Sequence, residues 1–290
     1  MELAFKIGFH VSITGGIHNS VTNAVELGCT AFQIFTRSPR KWDSMDLLES
    51  DIKLFKINLK RSGIEKNSVA VHMPHLPNLS GPDGELYEKS VNSFTNELIR
   101  TSKLGIEYLI IDLGSDMGHG KDNGINQLLK SSHKAVDDFK SAYQKKLNVT
   151  ILLQNSWGPR NRLGTRLEEL REILDKLPTK GYGICLDTCH AFVSGYDLRT
   201  TDTCIRFIKK FDKIVGLDTI KFVHLNDSKM EIGSYFDGHE FVGLGKIGVE
   251  GFKTIINHKS LRDLPMVMQV PYMSIGDDSE KLKNVRKLRN

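Results

Sequence analysis

The sequence predicts a (β/α)8 barrel, and three observations carry that expectation. Eight short apolar runs recur along the chain, amphipathic segments of helical period lie between them, and nearly every run ends on a polar residue. Short runs that are apolar on both faces suit buried parallel strands, and a helix after each strand supplies the crossover to the next. Alternation alone does not show closure, so a doubly wound sheet stays open as the alternative.

The first run is Phe5–Phe9, and it ends at His10. The stretch before it, within "MELAFKIGFH", has no basic region followed by a long apolar segment, so it does not read as a signal peptide. The second run is Ala31–Phe35, which leads into "FTRSPRKW". The third, Val69–His72, closes on His72 itself. A helical stripe of Val91, Phe94 and Leu98 follows, with Gly105 placed to stop it. The fourth run, Tyr108–Ile111, ends at Asp112, and the fifth, Val149–Leu153, at Gln154. In "TRLEELREILDKL" the residues Leu167, Leu170, Ile173, Leu174 and Leu177 share one helical face. Thr165 and Glu168 stand at capping-box spacing there, and Pro178 follows the end. The sixth run, Gly183–Leu186, ends at Asp187, with His190 three residues on. The seventh, Ile220–Val223, ends at His224, and its loop adds Asp237 and His239 as D-x-H. The eighth, Pro265–Met268, ends at Gln269. No linker, low-complexity segment or short repeat interrupts the pattern, so one barrel domain over residues 1–290 is expected.

Composition narrows the function classes. The chain is 39% hydrophobic and 26% charged, with a net charge of +5, which allows a polyanionic partner without demanding one. No apolar run reaches the length of a membrane span. Four cysteines (Cys29, Cys185, Cys189 and Cys204) are too few for a disulfide scaffold of this size and read as reduced thiols of an intracellular protein.

In a (β/α)8 barrel the chemistry sits at the C-terminal ends of the strands. One polar strand end is ordinarily a turn or a helix cap. The joint pattern is different: of ten histidines, His10, His72, His190, His224 and His239 all fall at or beyond strand ends, together with Asp112, Asp187 and Asp237. Imidazole plus carboxylate suits zinc, manganese or iron. Cys189 lies among them, but a small buried thiol explains it as well as a ligand does.

These segments also carry a resemblance. "IGFHVSITGGI", "FTRSPRKW", "VHMPHLPNL", "CLDTCHAFVSGYDLRT", "VHLNDSK" and "DGHEFVGLGKIG" resemble endonuclease IV, the zinc-dependent apurinic/apyrimidinic (AP) endonuclease family of TIM barrels, from about residue 7 to residue 271. The resemblance implies a monomeric repair hydrolase that cleaves double-stranded DNA 5′ to abasic sites, using up to three zinc ions to grip the phosphate and generate the attacking hydroxide. Carried over by residue, it implies one zinc on His190, Asp237 and His239, a second on Asp187 and His224, and a third at His72. For DNA it implies roles for Arg40, His75, Leu76 and Arg199, where His75 replaces the family's usual stacking tyrosine. Arg37, Lys41, Trp42, Arg160 and Arg162 are further candidates for contact with the phosphates or bases.

Three positions depart from the family pattern. "DLGSD" puts Asp112 and Asp116 where the family has histidines, and Gln154 and Gln269 stand where it has glutamates. A neutral amide supplies no charge, so the paired-metal position should hold zinc more weakly, and Asp112 should shift it toward manganese or magnesium. Two alternatives follow: a DNA-damage-binding barrel with impaired catalysis, and a sugar isomerase-like barrel. The "GYDLRT" and "DGHEF" motifs favour the endonuclease over the isomerase.

Overall fold

In a computed structural model of the protein, the described residues are 5–43, 45–143, 147–159, 161–270 and 275–290. Eight parallel strands form the sheet: β1 (Ile7–Phe9), β2 (Phe32–Ile34), β3 (Val69–His72), β4 (Tyr108–Asp112), β5 (Thr150–Gln154), β6 (Tyr182–Asp187), β7 (Ile220–His224) and, after a short ribbon, β10 (Met266–Met268). Their order is β1-β10-β7-β6-β5-β4-β3-β2. A parallel bridge between His10 and Gln33 joins the two ends. The sheet therefore closes as a barrel, and the doubly wound alternative is excluded.

The helices are α1 (Asn19–Glu26), α2 (Glu49–Ser62), α3 (Glu85–Leu104), α4 (Lys121–Tyr143), α5 (Leu167–Lys176), α6 (Thr188–Val193), α7 (Thr201–Ile214), α8 (Gly248–Asn257) and α9 (Ile275–Arg286). Among the described residues, no helix is long and apolar enough to cross a membrane. α3 buries Val91, Phe94 and Leu98 as the stripe predicts, and Gly105 ends it in the left-handed conformation at φ 74°. The predicted cap of α5 does not form. Its N-cap is Arg166, without a side-chain cap bond. Glu169 instead reaches back to accept from the Gly164 N–H at 3.0 Å, and the Tyr196 hydroxyl accepts from Leu167 N–H.

Two apolar populations hold the barrel. One lies between sheet and helices, with Phe32, Ile34, Leu109, Leu153, Phe94 and Phe252 fully buried. The other fills the barrel: Ala31, Ala70, Tyr108, Ile110, Leu152, Cys185, Phe222 and Val267. Strand side chains alternate with period two. Two residues beyond Ala31, Ala70, Ile110, Leu152, Cys185, Phe222 and Val267 come Gln33, His72, Asp112, Gln154, Asp187, His224 and Gln269. The same alternation that packs the barrel thus stacks a polar layer on its C-terminal end. Register sets the neighbours within that layer: Asp112 pairs with Gln154, and Asp187 with His224.

The loop after β7 forms a small antiparallel ribbon, β8 (Asp227–Ser228) with β9 (His239–Glu240). The fully buried Asp227 carboxylate ties it down by accepting from the backbone N–H groups of Gly243, Gly245, Ile247 and Gly248. Gly245 has to be glycine: a Cβ there would lie 2.4 Å from Ser228 O and 2.6 Å from Asp227 Oδ1. This clamp carries Asp237 and His239 back over the barrel mouth.

Candidate metal centre and nucleic-acid interface

A cavity of about 400 Å³ opens at the C-terminal end of the barrel, lined by His72, His75, Asp112, Gln154, His190, Asp237, His239 and Gln269 among others. Asp187 and His224 form its floor, fully buried. Asp187 has two tasks. Its Oδ1 caps α6 by accepting from His190 N–H at 2.9 Å, and its Oδ2 accepts from Asn226 Nδ2 at 2.8 Å. Asn155 fixes the end of β6 in turn, accepting from Asp187 N–H and donating to Asp187 O.

One corner is built from His190, Asp237 and His239. His190 Nδ1 donates to Asn155 O at 2.9 Å, and His239 Nδ1 donates to Gln269 O at 3.0 Å. With a proton placed on each Nδ1, both Nε2 atoms present lone pairs. His239 Nε2 is 3.2 Å and His190 Nε2 3.8 Å from Asp237 Oδ1. His190 Nε2 is buried and has no hydrogen-bond partner. An orphaned lone pair beside a carboxylate is what a divalent cation would complete. Burial opposes a charge on His190, but Asp187 and Asp237 outweigh it and raise the pKa to about 9, so without a cation the ring takes a second proton on Nε2, which a metal ion would displace. Burial alone would raise Asp187; His190, His224 and His239 hold it below the ordinary carboxylate range. Cys189 Sγ lies 3.8 Å from Asp237 Oδ1, and burial keeps this thiol protonated.

The floor follows the same rule. Gln33 Oε1 accepts from His224 Nε2 at 2.7 Å, which leaves His224 Nδ1 as the lone pair, 3.5 Å from Asp187 Oδ2 and without a hydrogen-bond partner. Burial lowers His224 to about 4, so the ring is neutral and able to ligate. Gln33 also meets His10 Nδ1 at 2.8 Å. His10 packs at a tilt against Phe35, ring centroids 4.3 Å apart, and belongs to none of the groups of converging donor atoms among the described residues.

The glutamines at the strand ends are different. Gln154 sits with its amide 2.9 Å from His72 Nε2 and 3.2 Å from His190 Nδ1. Gln269 Oε1 accepts from Asn226 Nδ2 at 3.1 Å, and its backbone N–H donates to Asn226 Oδ1. Gln269 thus has protein partners, Gln154 faces two imidazole nitrogens, and neither glutamine brings charge. Asp112, half-buried, faces His75 Nδ1 at 3.3 Å. Burial raises its pKa, but His75 and His72 reverse that and hold it below the usual range. Asp116 turns away to cap its own loop, accepting from Gly118 N–H at 2.7 Å.

Gln33, Asn226 and Phe35 escaped the sequence reading. Each carried a usable signal. Gln33 is the one polar residue inside the Ala31–Phe35 run, Asn226 stands two residues past a strand-end histidine, and Phe35 directly follows β2.

On the nucleic-acid side, Arg40 and Lys41 are exposed and Trp42 half-buried. Arg37 is not available. It is buried in an ion pair with Glu97 at 2.7 Å and donates to the carbonyls of Lys41 and Trp42, so it shapes the loop from inside. Leu76 and His75 are exposed at the cavity mouth. Arg199 projects from the surface with its guanidinium paired to both oxygens of Asp197. Arg162 stacks over Trp157 at 4.5 Å on the cavity wall. Arg160 lies outside the described residues.

Residues 21–289 match the family described as xylose isomerase-like TIM barrel. The chain is 45% identical to a probable endonuclease 4 of Cenarchaeum symbiosum (98% of this chain, 99% of the relative) and 43% identical to one of Nitrosopumilus maritimus (98% and 99%). Among solved structures, endonuclease IV from Thermus thermophilus superposes with a TM-score of 0.86 at 32% identity, covering 98% of each chain. A D-tagatose 3-epimerase-like protein superposes at 0.71 with 19% identity, a likeness of fold alone. Strand-end histidines and aspartates, clamped loop and whole-length kinship agree: the chain belongs to the endonuclease IV family of xylose isomerase-like TIM barrels.

Proposed function

We infer that the protein is a metal-dependent phosphodiesterase that incises double-stranded DNA 5′ to abasic sites, as part of base excision repair. The observation that carries this reading is the His190–Asp237–His239 corner, where two imidazole lone pairs and a carboxylate converge and one of the nitrogens is buried without a partner. The names of the relatives support the nuclease assignment.

The residues fit divalent cations at this corner, at Asp187 with His224, and at His72 with Asp112. Cations so held would neutralise phosphate charge and make water nucleophilic near neutral pH. The protein's part is to fix the donors. Asn155 and Gln269 carbonyls hold the His190 and His239 rings, and Gln33 holds His224. Zinc suits the first corner. The Asp187–His224 position has one carboxylate and neutral neighbours, Gln154 and Gln269, so it binds more weakly and accepts manganese or magnesium. Arg40, beside Lys41 and Trp42, enters the groove; Leu76 and the His75 ring edge stand where an extruded abasic nucleotide would leave a gap; Arg199 and Arg162 face phosphates.

A labelled duplex with one abasic analogue tests the reading. Incision on its 5′ side, abolished by chelator and restored by zinc or manganese, is the expected result. Tight binding of that duplex with no incision under any of these metals would replace this reading with a damage-binding one.

A further inference from the structure

We propose that His75 is a metal ligand, completing with His72 and Asp112 a two-histidine, one-carboxylate cation site on the β3–β4 side of the cavity. The inference rests on the metal-dependent reading above, which already holds a cation at His72 with Asp112, and adds His75 to that position.

Three donors converge there from three backbone segments. His72 ends β3, His75 lies in the loop just after it, and Asp112 ends β4. One donor atom from each lies within 4.8 Å of the other two. That spread is the size of a coordination shell before the side chains draw in on an ion. The two rings stand 5.3 Å apart, and each packs edge-on against Phe35, at 5.7 and 5.3 Å. Phe35 is thus an apolar backstop that limits where either ring can turn.

The protons decide which atoms can ligate. His72 Nδ1 sits 2.6 Å from Met73 O and must donate to it, so His72 Nε2 carries a lone pair. That lone pair faces Gln154 Oε1 at 2.9 Å. Two acceptors in contact repel unless a cation lies beside both or the amide is reversed. At His75 a cation would take the place of the proton that Nδ1 shares with Asp112. That nitrogen points inward to Asp112 Oδ2 at 3.3 Å, although 59% of the side chain is exposed. With Gln154 Oε1 as a neutral fourth donor, the site keeps its outer face open to the cavity, as a catalytic rather than a structural site does. The outer ring edge of His75 stays available at the mouth.

Zinc and cobalt stoichiometry tests the assignment, with mass spectrometry for content and the cobalt visible bands for ligand field. His75→Phe keeps an aromatic ring against Phe35 and deletes only the donor, and Asp112→Asn is its counterpart. Each should bind one equivalent fewer than the parent, or bind that equivalent at least tenfold more weakly. His239→Ala should lose a different equivalent, so that combining it with His75→Phe costs two. Thermal melting shows that each variant is folded. If His75→Phe keeps the parent's stoichiometry, affinity and cobalt spectrum while His239→Ala loses an equivalent, the His75 assignment is overturned and the nuclease reading stands. If the parent binds neither metal, both fall together.

Discussion

Two corners of one cavity solve the same burial problem in opposite ways. At the His190–Asp237–His239 corner, each imidazole has one nitrogen tied to a backbone carbonyl and the other aimed at a carboxylate, with His190 Nε2 left unpaired. Beside it, Gln154 and Gln269 meet His72, His190 and Asn226 through neutral amides. The first corner is unsatisfied without a cation, while Gln269 in the second is satisfied by protein alone. An unpaired buried polar atom costs free energy, about 1–3 kcal/mol each, and persists where something else completes it. The difference teaches that a polar strand end becomes a metal site through what its second nitrogen and its charge are doing, beyond residue type.

The comparison can be broken at its strong side first. His190→Ala should remove one metal equivalent and lower abasic-site incision by on the order of 10³, the upper range for losing a preorganised electrostatic element. Incision within a few-fold of the parent would mean that this corner is not where the chemistry lies. The weak side is sharpened by adding charge. Gln154→Glu with Gln269→Glu and Asp112→His should raise zinc-dependent incision by on the order of 10². If the parent is already active in manganese and the triple variant gains nothing there, the amides belong to a site adapted to a harder metal. Gln33→Leu leaves every ligand in place but frees the His224 ring, and should weaken metal binding at the Asp187–His224 position about 10–100-fold, measured by competition with a chelating dye. A change smaller than twofold would deny Gln33 its orienting part. Arg40→Ala should weaken binding of abasic duplex about tenfold, within the ~1–3 kcal/mol of a specific groove contact, with metal content unchanged. The titration must be run at matched salt, since phosphate contacts are salt-dependent, and equal affinity would remove the role.

The barrel was legible because it rests on periodicity. Each apolar run became a strand within two residues at either end, and the period of two placed His72, Asp112, Asp187 and His224 on the same end of the barrel. Closure was not legible, because the His10–Gln33 bridge depends on curvature that no local pattern encodes. In "FTRSPRKW" the two arginines look alike, yet Arg37 is buried on Glu97, 60 positions away, and Arg40 is exposed. The Thr165 cap failed for a similar reason: Glu169, from within the helix, and Tyr196, from a distant loop, take up the helix start. The residue types at the strand ends were visible in the sequence. Tautomers were not, since Asn155 O, Gln269 O and Gln33 Oε1 set them through contacts made only in the folded chain.

Zinc content tests the central claim most directly. Parent and His239→Ala, purified without chelator and equilibrated with zinc, are to be compared by mass spectrometry. The His190–Asp237–His239 corner predicts at least one tightly held equivalent in the parent and one fewer in the variant. A parent that holds no zinc after equilibration, or a variant that holds as much as the parent, would contradict it.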